Sequence, residues 1–207
     1  AGPWTTAGTL RGVEQLIYDT NDDPQFVREL MQVATDICID RALAMAETGV
    51  YPRITDPSAG CSLISPKVYR GFVKPYYEQI FGRLRQDTNT RLGLHICGYV
   101  DPIMEDIVSL PIDWFELDAL SSLEKMVSLS RGKVVIRGQV AAEVFAEGTR
   151  EMIDEEVKRC VDTTARTNPF MLAPGCSVPY NTPVENIRYF LDAAHRYGSS
   201  DYITGKE

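Results

Sequence analysis

The stretch LHICGYVDPI, residues 94–103, ends a short apolar run on His95, Ile96, Cys97 and Gly98. Side chains two positions apart on a strand share a face. A strand over Arg91–Cys97 therefore points His95 and Cys97 the same way, at its C-terminal end. That pairing is half of a metal site or a packing coincidence, and the surrounding fold must decide between them.

Helix and strand patterns alternate on both sides of this stretch. From Pro24 to Thr48, the apolar residues Phe26, Val27, Leu30, Val33, Ile37 and Leu43 recur at helical spacing. Asp22 and Asp23 before Pro24 supply a cap and a first-turn proline, and Gly49 ends the segment. VYPRITDPSAGCSLISP reads as a short strand and a loop, followed by a helix over Pro66–Asp87 that Ser65 caps. Beyond the Arg91–Cys97 strand, a helix is expected over Pro102–Leu110, a strand over Trp114–Leu117 and a short helix over Leu123–Ser130. A strand over Lys133–Gly138, a helix over Thr149–Thr167, a strand over Phe170–Leu172 and a helix over Pro183–Tyr197 complete the series.

Such alternation with short loops predicts an α/β fold, a parallel sheet with helices outside it. A doubly wound sheet usually carries a glycine-rich phosphate turn, and neither G-x-G-x-x-G nor a Walker motif occurs. A TIM-type β/α barrel places its chemistry at the C-terminal ends of several strands, which is where the unusual residues fall. The expectation is a single domain over residues 1–207 of (β/α)8 type, with five strands and a sixth before Ala1, of the eight a closed barrel needs. The opening AGPWTTAG has no methionine and no helix or strand leading into it, which suggests the later, C-terminal part of a longer polypeptide. An incomplete barrel exposes two strand edges and part of an apolar interior. Aggregation, rearrangement or pairing with a second copy as a homodimer is then expected.

Composition narrows the partners. The chain is 44% hydrophobic and 24% charged, as globular proteins are. Its net charge of −8 argues against a nucleic-acid partner, since phosphate neutralisation needs clustered Lys and Arg. No apolar run approaches the roughly 18 residues a membrane helix needs, and no basic-then-apolar leader is seen. A cytoplasmic location is expected. Five cysteines at irregular spacing do not form a disulfide framework. Cys38 and Cys160 fall in helical patterns and read as buried apolar residues, whereas Cys97 and Cys176 sit beside glycines at strand ends.

Cys176, in MLAPGCSVPY, is the third donor. Three N and S ligands with an open fourth position are the pattern of catalytic zinc, and thiolates favour zinc over magnesium or calcium. Glu116 and Asp118 in FELDAL share a strand face, so either carboxylate could occupy the fourth position. From the residues alone, zinc ligation and plain packing both stay open. Other polar candidates near the strand ends are Asp56, Ser58, Gln139, Arg137, Tyr180 and Asn181. For Asp56 a turn-forming role competes with substrate binding. Asn186 reads as part of a helix start, His195 as a helix-end cation, and Trp4 and Trp114 as packing.

HICG together with APGCSVPYNTPVENIRYFLDAAHRYG resembles the zinc-dependent corrinoid methyltransferases of the uroporphyrinogen decarboxylase superfamily, the methylcobalamin:coenzyme M type among them. The segments GPWTTAGTLRGVE and DPSAGCSLISPKVYRGFVKPY extend the likeness across essentially the whole chain. The resemblance implies a β/α barrel longer than this chain, with zinc held by His95, Cys97 and Cys176. It also favours Asp118 as the fourth, acidic ligand. The implied reaction moves a methyl group between methylcobalamin, carried by a separate corrinoid protein, and a small thiol or pterin. Uroporphyrinogen decarboxylase proper lacks the metal triad. A metal-free decarboxylase and a non-catalytic truncated barrel are the competing readings.

Overall fold

The structure, a computed structural model, describes residues 1–205. Helices α1 (Pro3–Arg11), α2 (Val13–Asp22) and α3 (Pro24–Glu47) precede strand β1 (Arg53–Thr55). Helices α4 (Pro66–Phe72) and α5 (Lys74–Asp87), strand β2 (Gly93–Ile96), helix α6 (Met104–Val108) and strand β3 (Trp114–Leu117) follow. The remainder comprises α7 (Leu123–Ser130), β4 (Val135–Val140), α8 (Ala142–Glu147), α9 (Arg150–Thr164), β5 (Phe170–Pro174), α10 (Val184–Tyr197) and α11 (Ser200–Thr204). The strands follow the sheet order β1-β2-β3-β4-β5. β1 pairs with β2 in parallel with Thr55 opposite His95, and β4 with β5 in parallel with Gln139 opposite Ala173. The expected parallel α/β architecture is present.

The chain divides into two compact units, Ala1–Phe115 and Glu116–Glu207. In the first, Ile54 of β1 and Leu94 and Ile96 of β2 are buried, as are Tyr77, Ile80, Phe81 and Leu84 of α5. The four α5 residues recur at three- and four-residue spacing and form one apolar face, as a helix outside a sheet requires. Each fully buried aliphatic or aromatic side chain contributes about 1.5–3 kcal/mol relative to exposure. In the second unit Ile136 and Val140 of β4 are buried, with Ile153, Val157 and Cys160 of α9.

Several elements differ from the sequence expectation. The opening is helical from Pro3, although Thr5, Thr6 and Gly8 are weak helix formers. The compensation is distant: the Asp56 carboxylate accepts from the backbone N–H of Trp4 at 3.1 Å and of Thr5 at 2.7 Å, capping α1 from 51–52 residues away. The single helix expected over Pro66–Asp87 is two, broken at Val73, because Pro75 cannot donate to the carbonyl four residues back. β4 starts two residues later than expected, since Arg131 (φ 45°) and Gly132 (φ 76°) make a left-handed turn after α7. β3 and α7 have the expected bounds, and Ser122 caps α7 by accepting from Lys125 N–H at 3.1 Å. Cys38, Cys160 and Trp4 are buried, as expected.

Candidate metal centre

β2 delivers the His–Cys pair. Gly93 lets the strand pass the Trp114 indole, whose ring atoms lie 2.0–2.4 Å from where a Cβ would stand. Leu94 and Ile96 take one face and His95 the other. His95 is 3% exposed, and its Nε2 lies 3.1 Å from Cys97 Sγ. Cys97 is half-buried just past the last β2 residue, and Gly98 turns the chain away at φ 79°. Two donors tethered to one metal at tetrahedral Zn–N and Zn–S lengths stand about 3.6 Å apart. A small side-chain rotation separates the pair that far, so these residues fit a zinc ion. Burial pushes the thiols of Cys38, Cys61 and Cys160 above the ordinary cysteine value.

In the second unit Cys176 follows β5 after Pro174 and Gly175. Gly175 donates to Val140 O at 2.8 Å, and a Cβ there would stand 2.8 Å from Ala119 N. Only glycine allows so close a backbone approach. Asp118 and Cys176, with Leu120, Ala142 and Glu143, line a cleft of about 380 Å³. Asp118 is 9% exposed and its Oδ1 accepts from Leu120 N–H at 3.0 Å. A carboxylate and a thiol therefore share one cleft within this unit, at the ends of β3 and β5.

Most of the remaining candidates have structural partners. Asp56 is fully buried and, besides capping α1, accepts from Tyr77 O–H at 3.0 Å. Burial raises its pKa above the ordinary carboxyl value, making it a weaker acid, with the Thr5, Tyr77 and Trp4 hydrogen bonds opposing. Ser58 is buried with its hydroxyl 2.7 Å from Thr5 Oγ1. Gln139, 1% exposed, donates through Nε2 to Asp118 O at 3.0 Å and Ser121 O at 2.6 Å. Its Oε1 accepts from Arg159 at 3.4 Å, so it fastens the turn that carries Asp118. Arg137 pairs with Glu116. Tyr180 is fully exposed. Asn186 lies in the first turn of α10, as expected, and donates to Phe145 O at 2.9 Å and Gly148 O at 3.1 Å. Gly60 and Ser62, which bear on the Cys97 turn, carry no local signal and were not among the sequence candidates. Among the described residues no helix is long and apolar enough to cross a membrane.

A parallel β/α fold with donor and acid side chains at its strand ends has the layout of the β/α-barrel enzymes. The chain belongs to the uroporphyrinogen decarboxylase (URO-D) family, which it matches over residues 1–197. It is similar to the methylated-thiol–coenzyme M methyltransferase of Methanosarcina mazei, 28% identical over 92% of this chain and 50% of that protein. The methylcobamide:CoM methyltransferase MtaA of Methanosarcina barkeri is 28% identical over 95% of this chain and 56% of that protein. The chain thus spans about half the length of these curated relatives. A solved methyltransferase from Methanosarcina mazei superposes with a TM-score of 0.85 at 26% identity, over 96% of this chain and 57% of that one.

Proposed function

We propose that the chain carries the metal centre of a zinc-dependent methyltransferase, with His95, Cys97 and Cys176 as ligands and Asp118 at the fourth position at rest. The observation that carries this reading is the convergence of His95 Nε2 and Cys97 Sγ to 3.1 Å at the end of β2. The similarity to methylcobamide:CoM methyltransferases supports the same choice within the family. Zinc, when bound, supplies a cation that favours a thiolate over a thiol, so an acceptor thiol gives up its proton near neutral pH.

The residues divide the remaining work. His95 offers a neutral imidazole nitrogen, while Cys97 and Cys176 offer sulfurs that leave the cation less electrophilic than three imidazoles would and hospitable to a further sulfur. Asp118 would hold the fourth position until an acceptor thiol replaced it, and the cleft beside it would hold the acceptor. Gln139 keeps the Asp118 turn in position. With a thiol acceptor, a methyl group leaves methylcobalamin, the carbon–sulfur bond forms, the electron pair of the carbon–cobalt bond stays on the corrinoid, and the thiol proton goes to solvent. A separate corrinoid protein presents the methyl group, and a small thiol or a pterin accepts it. A metal-free decarboxylase would give no work to a converged His–Cys pair.

The test is methyl transfer from methylcobalamin to a panel of thiols and pterins, followed by the cobalamin absorption change. Transfer to at least one acceptor that is lost in His95→Ala supports the reading. Equal rates in wild type and His95→Ala would sink it.

A further inference from the structure

The turn that carries Cys97 lies just past Ile96, the last residue of β2. Another segment of the same unit, Asp56–Ser62, is packed along it. Asp56 N–H donates to His95 O at 2.9 Å, and Cys61 N–H donates to Tyr99 O at 2.8 Å. Ser62 Oγ accepts from Tyr99 N–H at 3.1 Å. Between these bonds Gly60 presses against the ligand turn: a Cβ on it would stand 2.4 Å from Cys97 O. The same Ser62 Oγ lies 2.8 Å from where a Cβ on Gly98 would be, which fits the left-handed conformation there. His95, Cys97, Gly98 and Tyr99 thus each meet a partner from one seven-residue segment.

We infer that Asp56–Ser62 is the brace that sets the His95–Cys97 bite, with Gly60 and Ser62 as positioning residues. The inference rests on the zinc reading above. A ligand pair needs its donors held to within about half an ångström, and the contacts from Asp56–Ser62 bear directly on the backbone that carries them. Gly60 sets the distance of closest approach to Cys97, and Ser62 fixes the following peptide through Tyr99 N–H. Ser62 is exposed, so its hydroxyl can be removed with little effect on the core.

The experiment is a cobalt(II) titration of the whole chain, read by the visible absorption bands of the bound ion, for wild type, Ser62→Ala, Ser62→Thr and Gly60→Ala. Removing an outer-shell partner lowers metal affinity by about 10–100-fold. That loss is expected for Ser62→Ala and Gly60→Ala, with shifted bands. Ser62→Thr, which keeps the hydroxyl, should bind within about threefold of wild type, and the urea midpoint of Ser62→Ala should stay at the wild-type value. Wild-type uptake that Ser62→Ala and Gly60→Ala leave unchanged in affinity and spectrum overturns the brace alone. No uptake by wild type overturns the zinc reading and the brace together.

Discussion

Replacing Asp56 by alanine should separate a structural carboxylate from a substrate-binding one. The side chain accepts from two backbone N–H groups at the start of α1 and from Tyr77 O–H, all in the core of the first unit. Losing a helix cap costs about 1–2 kcal/mol, and leaving a buried hydroxyl without its acceptor costs about 1–3 kcal/mol. Together, Asp56→Ala should destabilise by about 2–5 kcal/mol, a large share of the roughly 5–15 kcal/mol of an ordinary domain. At a urea m-value of about 2 kcal/mol/M the midpoint falls by about 2 M. Asp56→Asn keeps one acceptor oxygen and should fall between. The pH dependence carries a second signature. Because burial raises the carboxyl in the native state, folding holds this proton more tightly than the unfolded chain does. The contribution is complete below the unfolded value and is lost as pH rises through the folded one. The stability of wild type relative to Asp56→Asn should therefore shrink as pH rises from acid towards neutral. A loss under 1 kcal/mol for Asp56→Ala, or a relative stability that grows with pH, would refute the reasoning.

Two other substitutions probe the frame around the site. Gly93→Ala drives a Cβ to 2.0–2.4 Å from the Trp114 ring, and overpacking of this kind costs about 1–3 kcal/mol. Urea unfolding checks it, and an unchanged midpoint would mean that the indole swings aside freely. Arg137→Met removes an ion-pair partner of the buried Glu116 carboxylate. Breaking a fully buried pair costs about 3–5 kcal/mol, but Arg137 is 30% exposed, so about 1–3 kcal/mol is expected after discounting for solvent screening. A thermal midpoint equal to wild type would show the pair to be energetically idle.

Much of this architecture is readable in the sequence where the determinants are local. WFEL and the Ser122 cap yield β3 and α7 with their observed bounds, and the two-residue spacing of His95 and Cys97 yields their convergence. Features set at a distance are not readable. α1 is held by a cap supplied from Asp56, so its threonines and glycine read as coil. The kink at Val73 needs the position of Pro75 weighed against an otherwise helical apolar pattern. Gly60 and Ser62 acquire their meaning only from the Cys97 and Tyr99 backbone atoms facing them. Asp56, Ser58 and Gln139 were legible as polar residues near strand ends, yet their hydrogen bonds run to Thr5, Tyr77 and Ser121, partners that no spacing rule identifies. Tyr180 was legible as polar but stands in solvent.

Metal content measures the central proposal most directly. Protein purified in zinc-supplemented medium and dialysed without chelator should hold a single zinc per chain. His95→Ala, Cys97→Ala and Cys176→Ala should each lose most of it, while the buried-thiol variant Cys160→Ala should keep it. Wild-type protein without zinc, or a Cys176→Ala variant that retains the wild-type amount, would contradict the account.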